Sequence, residues 1–303
     1  MNQFLETRTG KISFPAYVPV TTFGDKYPLD NLLRPYLPRL ADAVMVSYYY
    51  AKQIKSGQKP RIPMMVDSGG FFSLYSGVEV KERKKLGVIE YTKDGQIEKI
   101  SPLDVLELQE EIADVAFTLD FPIPPGMDLT EARTRQKLTI NNAHWAIANR
   151  RRRDLPLYAS IQAWDVPSAK ECAKAYVNCG FDGVAIGGLV PRSKDLSLVL
   201  SIVEAVRAEI PDLPLHVFGL GHPNMISRLY EAGVNSVDSS SYIKYAASGK
   251  LWSNPDLVIE EPTATDRLHL ALWNLATATG KTLPLATTEM LFETVRKQEK
   301  VKV

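Results

Sequence analysis

Eight short apolar runs, each bounded by turn-forming residues, recur along the chain at positions 15–20, 43–47, 63–67, 115–120, 157–162, 183–187, 215–219 and 235–238. Most are near-continuously apolar, the pattern of parallel strands buried on both faces. Segments of helical periodicity separate them, at 102–113, 130–151, 167–179, 196–208 and 223–232. Ser101-Pro102 and Asp165-Val166-Pro167 place a capping side chain before a first-turn proline, and Gly180 and Gly233 stand where helices end. Eight alternating units predict an α/β chain folded as a (β/α)8 TIM barrel, with a doubly wound open sheet as the competing arrangement. The first eleven residues, with Thr9-Gly10, predict an N-terminal hairpin plugging the barrel bottom. Asp94-Gly95, flanked by two alternating runs within 78–100, predicts a β-hairpin insertion after the third strand, standing beside the barrel mouth. After Trp252 a polar connection leads to two C-terminal helices, 264–279 and 287–297. The expected division is therefore a catalytic barrel over 1–252, with a linker and helices packing on it over 253–303.

Composition narrows the class without naming a chemistry. With 303 residues, 45% hydrophobic and 23% charged, the chain has an ordinary globular composition, which excludes disordered, collagenous and coiled-coil classes. No apolar run approaches the roughly 20 residues that span a bilayer, and the N-terminus has no signal pattern, so a soluble, cytoplasmic protein without a membrane partner is expected. The only cysteines, Cys172 and Cys179, cannot build a disulfide framework or a four-ligand zinc site without borrowed histidines, and no metal is expected. A net charge of +1 neither favours nor excludes a polyanionic partner, because binding depends on local patches.

In a barrel the active site lies at the carboxyl ends of the strands, and here those ends are polar. The third run closes in Asp67-Ser68-Gly69-Gly70, the fourth in Asp120, the fifth in Gln162, the sixth in Gly187-Gly188, the seventh in Gly219-Leu220-Gly221-His222 and the eighth in Asp238. Any single aspartate is explained by helix capping, but three on one rim are harder to dismiss. A Mg²⁺ site would call for phosphate-binding elements, and no glycine-rich phosphate loop is present. Two carboxylates facing one ring suit glycosidic chemistry. Asp120 and Gln162 suit the hydrogen-bonding edge of a purine, and glycines at 187 and 188 let a flat base approach the backbone. Lys81, Arg83, Lys84 and Lys85 on the insertion, and Lys244 and Lys250 after the eighth strand, are candidate phosphate contacts. The run Arg150 to Arg153 belongs to the opposite rim. His222 is a candidate neighbour of phosphate or ribose, one of Tyr48, Tyr49 and Tyr50 is a candidate base-stacking ring, and His144, His216 and His269 read as structural.

Taken together, Asp67-Ser68-Gly69-Gly70-Phe71, Asp120, Ile161-Gln162, the stretch 183–189, Gly219-Leu220-Gly221-His222-Pro223 and Ser236-Val237-Asp238 stand in the order and spacing of the tRNA-guanine transglycosylase superfamily. The chain resembles that superfamily from about Arg8 to Ala247 and more weakly in the terminal helices. The resemblance implies replacement of guanine in tRNA or DNA by a free 7-deazaguanine base, with no cofactor. It makes Asp238 the nucleophile and Asp67 the general acid/base. It assigns the base to Ser68, Gly69, Gly70, Asp120, Gln162, Gly187, Gly188 and Leu189, and brings Gly219, Gly221 and His222 near the nucleic-acid backbone. It also implies a homodimer or a partner subunit.

The departures are Phe72 where glutamine is usual, Phe121-Pro122 after Asp120, and 239–244 in place of the usual segment after the nucleophile. The absence of any cysteine after Cys179 marks a zinc-less member. A catalytically silent, tRNA-binding accessory subunit and an unrelated barrel glycosidase are the alternatives.

Overall fold

The eight apolar runs are eight parallel strands in the computed structural model, which describes residues 3–23, 27–54, 59–254 and 256–283. They are β1 (Ala16–Pro19), β2 (Val44–Val46), β3 (Met64–Val66), β4 (Val115–Phe117), β5 (Leu157–Gln162), β6 (Gly183–Gly187), β7 (Leu215–Val217) and β8 (Ser236–Ser239). Each strand pairs with its sequence neighbour, and β8 returns to pair with β1. A parallel bridge between Val20 and Met45, with Thr21 N–H donating to the Met45 carbonyl at 2.9 Å, joins β1 to β2 and closes the ring. That closure decides for a (β/α)8 barrel over an open sheet.

Alternation along the strands fixes which side chains face the axis. Val18, Met45, Met65, Val115, Phe117, Tyr158 and Ala185 fill the interior, while Val44, Val46, Ala116, Leu157, Ala159, Val184 and Ile186 pack against the surrounding helices. The same alternation turns Gln162, His216, Ser236 and Asp238 inward. The N-terminal strands Phe4–Glu6 and Lys11–Ser13 pair as the expected hairpin, whose Ile12 joins the interior cluster. Asp114 ties this plug to the barrel bottom: it accepts from Thr9 Oγ1 at 2.6 Å and Met64 N–H at 2.9 Å, and pairs with Arg8 and Lys59. The arginine run lies on this side too, where Arg150 pairs with Asp182, Arg151 with Glu107 and Glu110, and Arg152 with Asp154.

Helices follow their sequence signals. Ser101 with Asp104 forms a capping box at Pro102–Ile112, and Asp165 with Ser168 does so at Val166–Lys174. Leu196–Glu209, Pro223–Glu231 and Ala264–Thr279 also fall close to their expected positions. Ala264–Thr279 packs on a short helix, Ser241–Ala247, through the buried Asn274, whose amide donates to the carbonyls of Tyr242 and Lys250. The expected helix at 287–297 lies outside the described residues. Among the described residues no helix is long and apolar enough to cross a membrane.

Two expectations are corrected. The fourth strand ends at Phe117, three residues short of Asp120, because side chains take over the backbone groups that follow. Asn142 holds the Leu119 carbonyl, Thr139 the Phe121 N–H, and Arg135 the Pro122 carbonyl. The insertion is a three-stranded meander, Val78–Arg83, Leu86–Lys93 and Gln96–Ile100, with a second turn at Lys84-Lys85. Both lysines adopt left-handed φ, 51° and 70°, a conformation that Asp-Gly announces in sequence and Lys-Lys does not. The second turn lies away from the mouth. Gly87 packs on Phe121 and on Leu138 of helix Leu129–Asn149, and Asn141 holds the Lys85 carbonyl, about 18 Å along that helix from its rim end at 1.5 Å per residue.

Candidate active site

The polar strand ends converge on one cleft of about 410 Å³, lined by Asp67, Ser68, Gly69, Gly70, Asp120, Gln162, Gly187, Gly188, Gly219, Asp238 and Lys244. A second, open depression of about 560 Å³ lies on the outer helices around Arg133, Lys137 and Glu171, and none of these strand-end residues lines it. Among the described residues no three His, Cys, Asp or Glu side chains are grouped to hold a metal ion.

One wall is a buried hydrogen-bonded set. Gly70 N–H donates to Ser68 Oγ at 3.1 Å, Ser68 Oγ–H donates to Asp120 Oδ1 at 2.6 Å, and Gln162 Nε2 donates to Asp120 Oδ2 at 2.5 Å. Burial raises the Asp120 carboxyl above its ordinary pKa, and the bonds from Ser68 and Gln162 pull it partly back. Gln162 Oε1 is buried without a hydrogen-bond partner, so an N–H from a bound molecule would complete it. Gly188 makes room for that oxygen: its φ is +72°, and a Cβ there would stand 2.7 Å from Gln162 Oε1. Arg192 clamps this loop, its Nη1 donating to the carbonyls of Gly188 at 2.7 Å and Ile123 at 2.8 Å.

The two remaining carboxylates differ in environment. Asp67 Oδ1 accepts from Gly69 N–H at 2.8 Å and Tyr48 N–H at 3.2 Å. Its pKa is nevertheless pushed up from 3.8 to about 6, by burial first and by the charge of Asp238 in addition. Asp238 Oδ1 accepts from Gly219 N–H at 3.1 Å and pairs with His216 Nε2 at 3.0 Å. A carboxyl that exchanges protons near neutrality thus shares a cleft with a second carboxylate anchored at one oxygen, a pairing suited to bond cleavage at an acetal carbon.

Other expected contacts fall elsewhere. Leu189 is fully buried in the core, because the left-handed turn at Gly188 sends its side chain inward. Gly221 lies against Ser239 and Tyr17, and its carbonyl accepts from Ser241 and Trp252. His222 caps helix Pro223–Glu231 and bonds Tyr245 at 3.0 Å. None of these three lines the cleft. Lys81 pairs with Glu79 and Arg83 with Glu90 within the meander, and Lys84 sits in its distant turn. Of the three tyrosines, Tyr49 is exposed and stacked on Phe72, while Tyr48 is buried.

Sequence reasoning missed His216, which stands directly beneath Asp238, and the rings of Phe71 and Phe218, which line the cleft. Period-two alternation in Leu215-His216-Val217 carried the signal for His216: its neighbours face the helices, so it faces the axis.

Known proteins share sequence with this chain. A family model described as queuine tRNA-ribosyltransferase matches residues 44–283. The chain is 31% identical over 246 residues to the tRNA-guanine(15) transglycosylase of Methanococcus aeolicus, covering 79% of this chain and 36% of that protein. It is 28% identical over 256 residues to the enzyme of that name from Pyrococcus furiosus, covering 80% and 40%, and 28% identical over 196 residues to that from Methanothermobacter thermautotrophicus, covering 63% and 27%. The chain thus spans 27 to 40% of the length of these three relatives. With the family match running through β2 to β8 and on past the helix Ala264–Thr279, the chain belongs to the queuine tRNA-ribosyltransferase family.

Proposed function

We propose that the chain exchanges guanine in a nucleic acid for a 7-deazaguanine base through a covalent aspartyl-ribosyl intermediate. The observation that carries this reading is the joint presence, in one cleft, of Asp238, of Asp67 poised near neutrality, and of Asp120 with Gln162 presenting an unsatisfied acceptor. Family membership and the names of the relatives support it.

The target nucleotide leaves its stack so that the base enters the cleft, where Phe71 and Phe218 offer ring faces and Asp120 and Gln162 its polar edge. Asp238 attacks the anomeric C1′. The C1′–N9 bond breaks, its electron pair passes to the departing base, and protonated Asp67 supplies the proton that neutralises it. The incoming base then attacks C1′ and gives up a proton to the Asp67 carboxylate. The C1′–O bond breaks, its electrons return to Asp238, and the balance closes without a redox partner. Lys244, exposed at the cleft edge, is placed to meet a phosphate.

Labelled guanine offered with matched tRNA and double-stranded DNA pools tests the proposal, with Asp238→Ala as control. Incorporation into one pool, lost in the variant, is the expected result and identifies the polymer. Incorporation into neither overturns it.

Gly188→Ala tests the base wall separately. The added methyl group crowds Gln162 Oε1 at a left-handed position, so guanine binding measured by equilibrium dialysis should weaken by about tenfold or more. Unchanged binding would remove Gly188 from the base site.

A further inference from the structure

We propose that His216 is the positioning residue for Asp238, fixing Oδ1 through its Nε2–H so that Oδ2 is the oxygen that attacks. The inference rests on the reading of Asp238 as nucleophile and adds a residue and an atom to it.

His216 lies on β7, two residues before Phe218 of the cleft wall, and is fully buried. Its ring packs against Phe117 and Phe218, with centroids 5.3 and 5.0 Å away, so these neighbours offer its nitrogens no conventional polar partner. The two polar contacts it makes are specific. Nε2 is 3.0 Å from Asp238 Oδ1, and Nδ1 is 2.8 Å from Ser236 Oγ. An ionised carboxylate only accepts, so Nε2 carries the proton on that side. The Ser236 hydroxyl can donate into Nδ1, which selects the Nε2–H tautomer.

Ser236 and Asp238 are alternate residues of β8, and both face the axis. One strand thus supplies the group that orients the imidazole and the group that the imidazole orients. The second donor on Oδ1 is the Gly219 N–H, at 3.1 Å, from the loop after β7. Two N–H groups therefore converge on a single oxygen. Among the described residues Oδ2 has no hydrogen-bond donor, and Asp238 lines the cleft. Rotating the carboxylate to exchange its oxygens would break both bonds at once, so the orientation is set before any substrate arrives. In glycosyl transfer the attacking oxygen must meet the anomeric carbon in line with the leaving base, and a preset carboxylate removes that search from the barrier.

The test has an arm that needs no turnover. In spectra of ¹⁵N-histidine-labelled protein, whose four histidines are assigned by loss of one signal in His216→Gln, His216 is expected as an Nε2–H tautomer whose resonances move in Asp238→Ala. An Nδ1–H tautomer, or resonances indifferent to Asp238→Ala, overturns the proposal whatever the reaction.

The second arm reads single-turnover exchange. His216→Phe keeps the ring volume and removes the donor, so its rate should fall about 100-fold while the binding of guanine and of the polymer stays within about threefold. His216→Gln restores an N–H near the Nε2 position and should recover about tenfold of that loss. A His216→Phe rate equal to wild type, or a glutamine variant no better than the phenylalanine one, overturns the positioning role. Should His216→Phe fail to fold, the glutamine variant and the spectra decide. If the wild type exchanges no base while the tautomer and its dependence on Asp238 hold, the pairing stands and the assigned reaction falls.

Discussion

Asp238→Asn is expected to lower base exchange by about 10⁴-fold or more, because in the proposed reaction it removes the covalent nucleophile, a loss the remaining binding groups cannot offset. The variant should fold normally. Asparagine retains an oxygen to accept from His216 and Gly219, so the inward face of β8 keeps its hydrogen bonds. Single-turnover assays beside thermal unfolding separate the two effects. An asparagine variant that turns over at the wild-type rate would remove Asp238 from the chemistry.

The second large effect is a pH dependence carried by Asp67. With its carboxyl pushed up to about 6, the protonated form that in the proposed reaction neutralises the departing guanine declines as pH rises through that value. The rate of guanine release should therefore fall about tenfold per pH unit on the alkaline side of the midpoint. Asp67→Asn should flatten that limb and cost about 10²- to 10⁴-fold, the usual contribution of a positioned acid. A steep limb that persists in the asparagine variant would assign it to another group.

The same shift makes a stability statement. A carboxyl raised in the folded state contributes stability that is complete below its unfolded value of 3.8 and is lost as pH rises through about 6. Asparagine does not titrate, so the melting temperature of Asp67→Asn relative to wild type should climb between about pH 4 and about pH 6 and level off above that. The site would then hold its acid at the expense of the fold.

Sequence revealed the architecture because parallel strands covered on both faces must be apolar nearly throughout, and that leaves eight unmistakable runs. It revealed Asp67, Asp120, Gln162 and Asp238 because a polar residue closing such a run has few places to go except the rim. What escaped it depends on tertiary partners. The end of β4 is set by Asn142, Thr139 and Arg135 from one distant helix. The Lys84-Lys85 turn is held by packing against that same helix, with no residue preference to announce it. The ion pairs of the insertion, Lys81 with Glu79 on its own strand and Arg83 with Glu90 across to the next, likewise follow from strand geometry and register that the charge run alone does not display. His216 reads as structural in sequence, a lone histidine in an apolar strand, and its partner on β8 becomes visible only when the two strands are paired in register, His216 opposite Ser236.

The ring is not equally bonded around its circumference. β5 and β6 share five register pairs, whereas among the described residues β1 and β2 are joined by the single bridge at Val20 and Met45. Val20 is also part of the cleft wall. The most sparsely bonded joint of the barrel therefore borders the cleft. Parting that joint breaks one bridge, against two to five register pairs at the joints from β2 round to β8, so backbone bonding resists local opening least along the β1–β2 seam.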